Sequence, residues 1–246
     1  MKALTLHREW SHAVQCLGKN VENRDFRIAT GTVLAIHAGK NVGDSPSRPA
    51  TKRGCDELFE AARRSDIALE FEVQKRFYTG RLRRAGSGEE WREPEQSAIV
   101  AVSVVTRILE PGRDHMSAFP WWNGDCFGWL LATTALRHPI RKVKGRQGLW
   151  TYPHDRTLTD RLVLSRGFWV RPKVDARKSW VLTVREAMAS RVNFRARGEQ
   201  VRIWSAHLGR ALTNEEVLRY EELERDLDNR NRLHRAEVLE RHEGVR

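Results

Sequence analysis

Three charged residues, Lys19, Glu22 and Arg24, lie close together directly after a predicted helix. Because side chains alternate between the two sides of an extended chain, Glu22 and Arg24 would share one face and could meet one ligand. Arg24 is suited to bidentate contact with phosphate, and Lys19 supplies a point charge. Glu22 could accept a hydrogen bond from a base amino group or act as a general base. The alternative is an internal ion pair of Glu22 with Arg24 or Lys19 that stabilises the loop.

An aromatic loop, Pro120–Gly124, holds two adjacent tryptophans. Trp121 and Trp122 either stack on unpaired bases or pack beneath the predicted sheet, and the sequence favours neither.

Two more candidates lie near the end of a predicted strand. Lys40 could flank the same cleft as the charged residues, whereas His37 is either a wall of the pocket or, as we favour, a core histidine with satisfied hydrogen bonds.

The densest basic run among residues 1–153 is interrupted by glycines and ends at Trp150. A solvated loop would explain the charges. Basic side chains interleaved with glycines beside a tryptophan are more typical of a rim that follows phosphates. We therefore expect nucleic-acid contacts from Arg141, Lys142, Lys144 and Arg146.

The chain as a whole is strongly basic. Its 246 residues carry a formal net charge of +12 at pH 7, which attracts polyanions through Coulomb forces and counterion release. Residues 1–153 contain 24 basic and 17 acidic residues, residues 154–210 contain 13 and 5, and residues 211–246 contain 7 and 10. The basic surplus therefore belongs to the first domain and the middle segment.

Several protein classes are excluded by motifs that the sequence lacks. No apolar run approaches the roughly 20 residues needed to cross a bilayer, so no membrane association is predicted. Early charges at Lys2, Arg8 and Glu9 leave no room for a secretory signal, and we expect a cytoplasmic protein. The three cysteines are far apart and form no Cys-x-x-Cys pair. Phosphate-loop, dinucleotide-binding, zinc-protease and serine-hydrolase motifs are absent, so we predict no metal and no cofactor.

The elements predicted to carry the candidate residues alternate between strands and helices. Lys2–Leu6 is a short strand, and apolar residues at i, i+3, i+4 and i+7 then indicate a helix that ends at Gly18. Residues 19–24 form a charged turn. Thr32–Ala38 and Ala98–Leu109 are rich in β-branched residues and are predicted strands, and Phe127–Leu136 is a further apolar segment. The pattern predicts an α+β domain over residues 1–153.

An insertion at about residues 41–96 separates these strands. Gly43–Gly54 has no apolar period and is predicted to be a loop. Asp56–Phe77 is expected to form one or two amphipathic helices. Arg81–Glu95 is polar, contains glycine and is assigned no element.

Residues 154–246 form a second region, predicted to be basic and then mostly helical. Thr213 and Glu216 have capping-box spacing, so a long helix should begin at Thr213. The helix at 213–241 could cover the first domain, bind a protein partner or form a dimer. The basic part of the region also contains Trp169, Trp180 and Trp204, and we expect these rings to pack, with some electrostatic contribution from the arginines.

Four motifs lie in the order in which a known domain family has them: Lys2–Leu6 with Trp10, Gly18–Arg24, Ala35–Lys40 and Gly145–Trp150. On these motifs, about residues 1–41 and 96–153 resemble the ASCH (activating signal cointegrator homology) domain of the PUA-like superfamily. The resemblance implies a small, partly open β-barrel with flanking helices and a cleft that bears the Lys-x-x-Glu-x-Arg motif. It also implies RNA or another nucleic acid as the ligand.

We therefore predict a nucleic-acid-binding protein that recognises a single-stranded or modified base in the barrel cleft, with RNA favoured over DNA. Some ASCH proteins are hydrolases, including enzymes that deacetylate N4-acetylcytidine, and others are ribonucleases. The first alternative is accordingly a hydrolase of a modified nucleoside or of RNA, with Lys19 and Glu22 in acid and base roles. The second alternative is an interaction adaptor that binds another protein through the helix at 213–241.

Overall fold

A computed structural model of the chain describes residues 1–39, 58, 60–65, 69–74, 79–84, 95–172, 179–196 and 201–243. Contacts between residues divide the chain into two compact units, Met1–Pro153 and His154–Arg246. Each unit contains both helices and strands, so the predicted α+β class is confirmed. No helix within the described part of the chain is long and apolar enough to cross a membrane.

The first unit is built on one six-stranded sheet and a separate hairpin. Its strands are β1 (Lys2–Leu6), β2 (Val21–Arg24), β3 (Val33–Ala38), β4 (Leu69–Gln74), β5 (Thr79–Arg84), β6 (Ala98–Leu109), β7 (Phe127–Arg141) and β8 (Leu149–Thr151). The order in the large sheet is β2-β7-β6-β3-β1-β8, and β4 pairs with β5 alone. The two ends of the large sheet are therefore β2 and β8.

The large sheet curls into a half-barrel. Register shifts interrupt the pairing of β6 with β7 twice and that of β3 with β6 once, and such bulges bend a strand and increase its twist. The core of the half-barrel is contributed by every long strand and includes the fully buried Leu4, Ile36, Val100 and Trp129.

Helix α1 (Arg8–Cys16) follows β1 and packs on the sheet through the apolar positions that the sequence predicted, Ala13 and Val14 among them. Gly18 adopts a left-handed conformation with φ of +74°, which costs a residue without a Cβ little. This turn lets the Lys19 backbone N–H donate to the Ala13 carbonyl at 3.0 Å. This hydrogen bond at the end of α1 thereby fixes the backbone position of Lys19.

Two predictions for the first unit are wrong. Residues 69–74 form β4 rather than an amphipathic helix, and the sequence Leu-Glu-Phe-Glu-Val-Gln has the apolar–polar alternation of a strand. Within Asp56–Phe77, the described helical residues are 58 and 60–64. Residues 21–24 likewise form β2 instead of a turn, because they pair with β7. Part of Arg81–Glu95 belongs to β5, and the predicted loop Gly43–Gly54 lies outside the described residues.

The second unit packs three helices on one face of a four-stranded antiparallel sheet. Its elements are α2 (Arg156–Arg166), β9 (Phe168–Pro172), β10 (Ser179–Val181), α3 (Val184–Ala196), β11 (Val201–Ser205), β12 (Arg210–Ala211) and α4 (Asn214–Glu243). The order is β10-β9-β11-β12. The prediction of a mostly helical region did not include this sheet.

A separate core holds the second unit together. It combines residues of all three helices, such as Val163, Val184 and Tyr220, with Phe168 and Ile203 from the sheet. Because this cluster contains only residues of the second unit, the unit has its own hydrophobic core.

Helix α4 begins with the capping box that the sequence predicted. The Glu216 N–H donates to Thr213 Oγ1 at 3.1 Å, and the Thr213 N–H donates to Glu216 Oε2 at 2.9 Å. Arg210 binds Glu216 Oε1 at 2.6 Å. The hydrogen bond from Arg210, followed by that from the Thr213 backbone, lowers the pKa of Glu216 to about 2.

We predict an acid-sensitive contribution from Glu216 to stability. Since the folded pKa lies below the ordinary 4.5, the unfolded chain takes up this proton first, and the contribution fades as the pH falls from about 4.5 to about 2. Glu216→Gln keeps a capping group but loses the ion pair, so it should lower the free energy of unfolding at neutral pH by at most about 1 kcal/mol. Urea denaturation at a series of pH values should show this difference vanishing near pH 2. A difference that does not change with pH would contradict the assignment.

Candidate nucleic-acid interface

The predicted site residues Lys19, Glu22 and Arg24 form one ion cluster. Lys19 Nζ lies 2.8 Å from Glu22 Oε2, and Arg24 Nη2 lies 2.8 Å from Glu22 Oε1. Lys19 also donates to the Val21 carbonyl, and its ammonium lies 5.6 Å from the centre of the Trp10 ring. Both oxygens of one carboxylate therefore serve two cations.

Burial of the cluster decreases from Lys19 to Arg24. The side chains of Lys19 and Glu22 are 2% and 9% exposed, and that of Arg24 is 25% exposed. A buried lysine needs such a partner, because an unpaired charge is costly to remove from water. This arrangement matches the internal ion pair that the sequence left open. The Lys19 ammonium and the Glu22 carboxylate therefore face each other instead of a ligand.

Strand β2 uses its other face to hold the aromatic loop. Val21 is buried in the core, and Asn23 donates from Nδ2 to the Trp121 carbonyl at 3.0 Å. The Asn123 N–H donates to Asn23 Oδ1 at 3.2 Å. The amide of Asn23 thus fixes both sides of the loop.

Both tryptophans of the aromatic loop are packed inside the first unit. Trp121 is 4% exposed and Trp122 is fully buried, in a cluster with Leu109 and residues of α1. Trp122 Nε1 donates to the Cys126 carbonyl at 2.8 Å. The structure therefore shows the packing alternative, and neither ring offers a face to a base.

The basic run after β7 divides into paired and exposed residues. Arg141 makes a bidentate ion pair with Glu95, with contacts of 2.5 and 3.0 Å. Lys142, Lys144 and Arg146 are exposed. Lys40, the remaining predicted residue, lies outside the described residues.

Lys144 and Arg146 line an open groove at the β8 end of the sheet. The groove has a volume of about 530 Å³ and is lined by Lys2, Lys144, Arg146, Gln147, Leu149, Trp150 and Thr151. Three cationic residues therefore share the lining of the groove with Leu149 and Trp150. The ion cluster on β2 lies at the opposite end of the strand order.

A polar network lies beneath the basic loop, residues 142–148, which connects β7 to β8. His37, only 2% exposed, donates from Nε2 to the Val143 carbonyl at 3.0 Å. Thr5 Oγ1 donates to the Arg146 carbonyl at 2.6 Å and accepts a hydrogen bond from Trp150 Nε1 at 3.0 Å. Hydrogen bonds to the Val143 and Arg146 carbonyls thus fix the backbone before and after Lys144. Burial lowers the pKa of His37 against the opposing effect of its bond to Val143.

Gly145 is required where the basic loop crosses His37. A Cβ at this position would lie 2.2 Å from His37 Cε1, closer than any real contact. The glycine therefore allows the loop to lie directly on the imidazole ring, between the two exposed cations Lys144 and Arg146.

Lys2 is a groove residue that the sequence did not predict. It reaches the groove because β1 pairs with β8, with Lys2 opposite Thr151. These two residues are far apart in the chain, and local patterns carry no information about such a pairing. The one available signal was the alternation in β1, which leaves Lys2 exposed beside the buried Ala3.

We predict that the ion cluster is structural. Glu22→Gln would leave the buried Lys19 ammonium without a countercharge and should lower the free energy of unfolding by about 3 to 5 kcal/mol. The matched control is Glu60→Gln, which breaks an exposed pair with Arg63, also three residues apart, and should cost at most about 1 kcal/mol. Urea denaturation measures both. Equal, small losses in the two variants would contradict a structural role.

Among the described residues, no group of three or more His, Cys, Asp or Glu side chains could hold a metal ion. Comparison of the chain with protein-family models found no match, and comparison with curated proteins found none.

Proposed function

We propose that this protein binds single-stranded nucleic acid, with RNA the favoured ligand, in the groove at the β8 end of the first unit. The observation that carries the proposal is the convergence of Lys2, Lys144 and Arg146 around one cavity of about 530 Å³. These residues come from two separate parts of the chain. A polyanion that entered the groove would therefore meet cations contributed by both β1 and the segment before β8.

The chemistry of the lining fits a nucleotide chain better than a simple anion. Lysine and arginine side chains bind phosphates and release counterions, which favours any polyanion. Leu149 and Trp150 add an apolar wall, and Trp150 is half-buried with its indole nitrogen already bonded to Thr5. The ring also packs edge-to-face with His37 and Tyr152, and the part of it that lines the groove offers an aromatic surface of the kind that nucleobases contact.

The network below the groove supports binding because it prepares the loop in advance. Thr5 and His37 hold the carbonyls of Arg146 and Val143, and the Val143 N–H donates to the Ser97 carbonyl at 2.8 Å. A loop that is already ordered loses less conformational entropy when it binds a ligand. A merely solvated basic loop would not need these hydrogen bonds to the sheet.

We also propose that the first unit is a PUA-like barrel of the ASCH type, and that the protein is cytoplasmic. The half-barrel sheet, the helix after β1 and the four ordered motifs support this assignment. The resemblance implies a ligand at the Lys-x-x-Glu-x-Arg motif, but the mutual pairing of Lys19, Glu22 and Arg24 favours a supporting role for that motif. Both Glu22 oxygens already contact cations, so Glu22 is poorly placed to act as a general base. The cluster therefore favours a binding protein over a hydrolase.

We predict that Lys144→Gln with Arg146→Gln weakens binding of a fluorescein-labelled single-stranded oligouridine, measured by fluorescence anisotropy. The slope of log K against log salt should become shallower by about 0.7 for each phosphate contact that is lost. Arg113→Gln removes a similarly exposed arginine that pairs with Glu110 away from the groove, and it should leave the slope unchanged. The proposal fails if the double variant binds like the wild type, or if both variants lose affinity equally.

A second prediction tests the preparation of the loop without changing its charge. In Gly145→Ala the methyl group meets the His37 ring, so the loop must shift and stability should fall by about 1 to 3 kcal/mol, the usual cost of overpacking. Affinity for the same oligouridine should also fall, although every cation remains. Anisotropy at a temperature where urea denaturation shows a fully folded variant separates the two effects. Unchanged affinity in a destabilised variant would show that the loop position does not matter for binding.

A further inference from the structure

The sheet of the second unit has one face in the core and one face turned away from it. Along β11, Val201, Ile203 and Ser205 are buried, whereas Arg202 is exposed and Trp204 is half-buried. Because side chains alternate along a strand, Arg202 and Trp204 lie on the face opposite the three helices. We call this surface the outer face.

The strand register places three tryptophan positions in one row across the outer face. Trp204 on β11 is opposite Trp169 on β9, and Trp169 is opposite Trp180 on β10. Residues directly opposite each other in a sheet share a face. Trp180 is 46% exposed, so a large part of this indole meets solvent.

Arginine positions accompany the tryptophan row. Arg202 is opposite Arg171, two residues from Trp204 and Trp169 along their strands, so this pair forms the neighbouring row on the same face. The segment that forms the sheet is also the most basic part of the chain, with 13 basic and 5 acidic residues in 154–210. The outer face therefore combines tryptophan positions with the exposed Arg202 and the position of Arg171, within a segment of the chain that is strongly basic.

The backbone next to the row is shaped to accept a tryptophan ring. Gly167 has φ of +74°, and a Cβ there would lie 2.8 Å from Trp180 Cζ2 and 2.8 Å from the Val181 carbonyl. The ring of Trp180 therefore lies against bare backbone on one side. Its position is fixed while nearly half of its surface stays exposed.

We propose that the outer face of the second unit is a base-stacking surface for single-stranded nucleic acid, separate from the groove of the first unit. Unpaired bases would stack on Trp180 and Trp204, and Arg202 would contact the phosphates. Stacking on aromatic rings beside arginines is the usual way in which proteins hold single strands without reading their sequence. The arginine positions beside the tryptophan row favour this occupant over an apolar protein surface. The inference shares its ligand class with the proposed function but not its site.

The test uses the full chain and the labelled oligouridine, together with an abasic oligomer of the same length. Trp180→Leu should weaken binding of the oligouridine by about 5- to 150-fold, the range for loss of one stacked base, and should hardly affect the abasic oligomer. Trp180→Phe keeps an aromatic face and should restore most of the affinity. This rescue separates stacking from a general disturbance of the β10 edge.

Matched controls address charge and exposure. Arg202→Gln should weaken binding of both oligomers, whereas Arg185→Gln, an exposed arginine on α3, should weaken neither. Val192→Ala changes another exposed apolar residue, 63% exposed on the same helix, and should have no effect. Photocrosslinking of a thiouridine-containing strand should label peptides that contain Trp180 or Trp204.

The outcomes separate this inference from the proposed function. Loss of affinity with Trp180→Leu but not with the groove variant of Lys144 and Arg146 would support the outer face and overturn the groove. The reverse result, or equal loss for the oligouridine and the abasic oligomer, would overturn the outer face. If Trp180→Leu instead changes the sedimentation coefficient of the protein alone, the row is a contact between copies of this chain, and the inference is wrong.

Discussion

The hydroxyl group of Thr5 joins three parts of the first unit that lie far apart in the chain. It donates to the Arg146 carbonyl, accepts from the Trp150 indole and lies 3.3 Å from His37 Nδ1. A hydroxyl has one proton and two lone pairs, so one small side chain can connect β1, β8 and the basic loop. The basic loop and β8 are held next to β1 because this half-buried hydroxyl donates to one of them and accepts from the other.

A second buried polar group plays the same part at the other end of the sheet. Glu22 balances Lys19 and Arg24, and it allows an edge strand to carry charge on one face while Val21 enters the core on the other. Buried ion pairs add little net stability, but they are costly to break. Such a cluster favours one arrangement of β2 relative to the end of α1 over others.

The two proposed surfaces use different geometry for the same class of ligand. In the first unit, three cationic residues line a groove, so electrostatic attraction should dominate. In the second unit, a sheet face carries a row of tryptophan positions, and stacking should contribute most. Each unit has its own hydrophobic core, so a change on one surface can be studied while the other stays intact. Helix α4 closes the second core with Val217, Tyr220 and Leu227, and its described residues after Asp228 are mostly exposed.

The sequence by itself determined the elements whose patterns are local. Residues close together in the chain were enough to predict strand β1, helix α1 with its stop at Gly18, strand β6 and the capping box of α4. The alternation in Leu69–Gln74 was equally local, and the prediction of a helix there overlooked it. Tertiary structure alone decided that Glu22 is shared by two cations, that Trp121 and Trp122 are buried, and that Lys2 joins Lys144 and Arg146. The reason is that burial and ion pairing depend on which strands become neighbours. Here β1 pairs with β8, although Lys2 and Thr151 lie near opposite ends of the first unit's sequence.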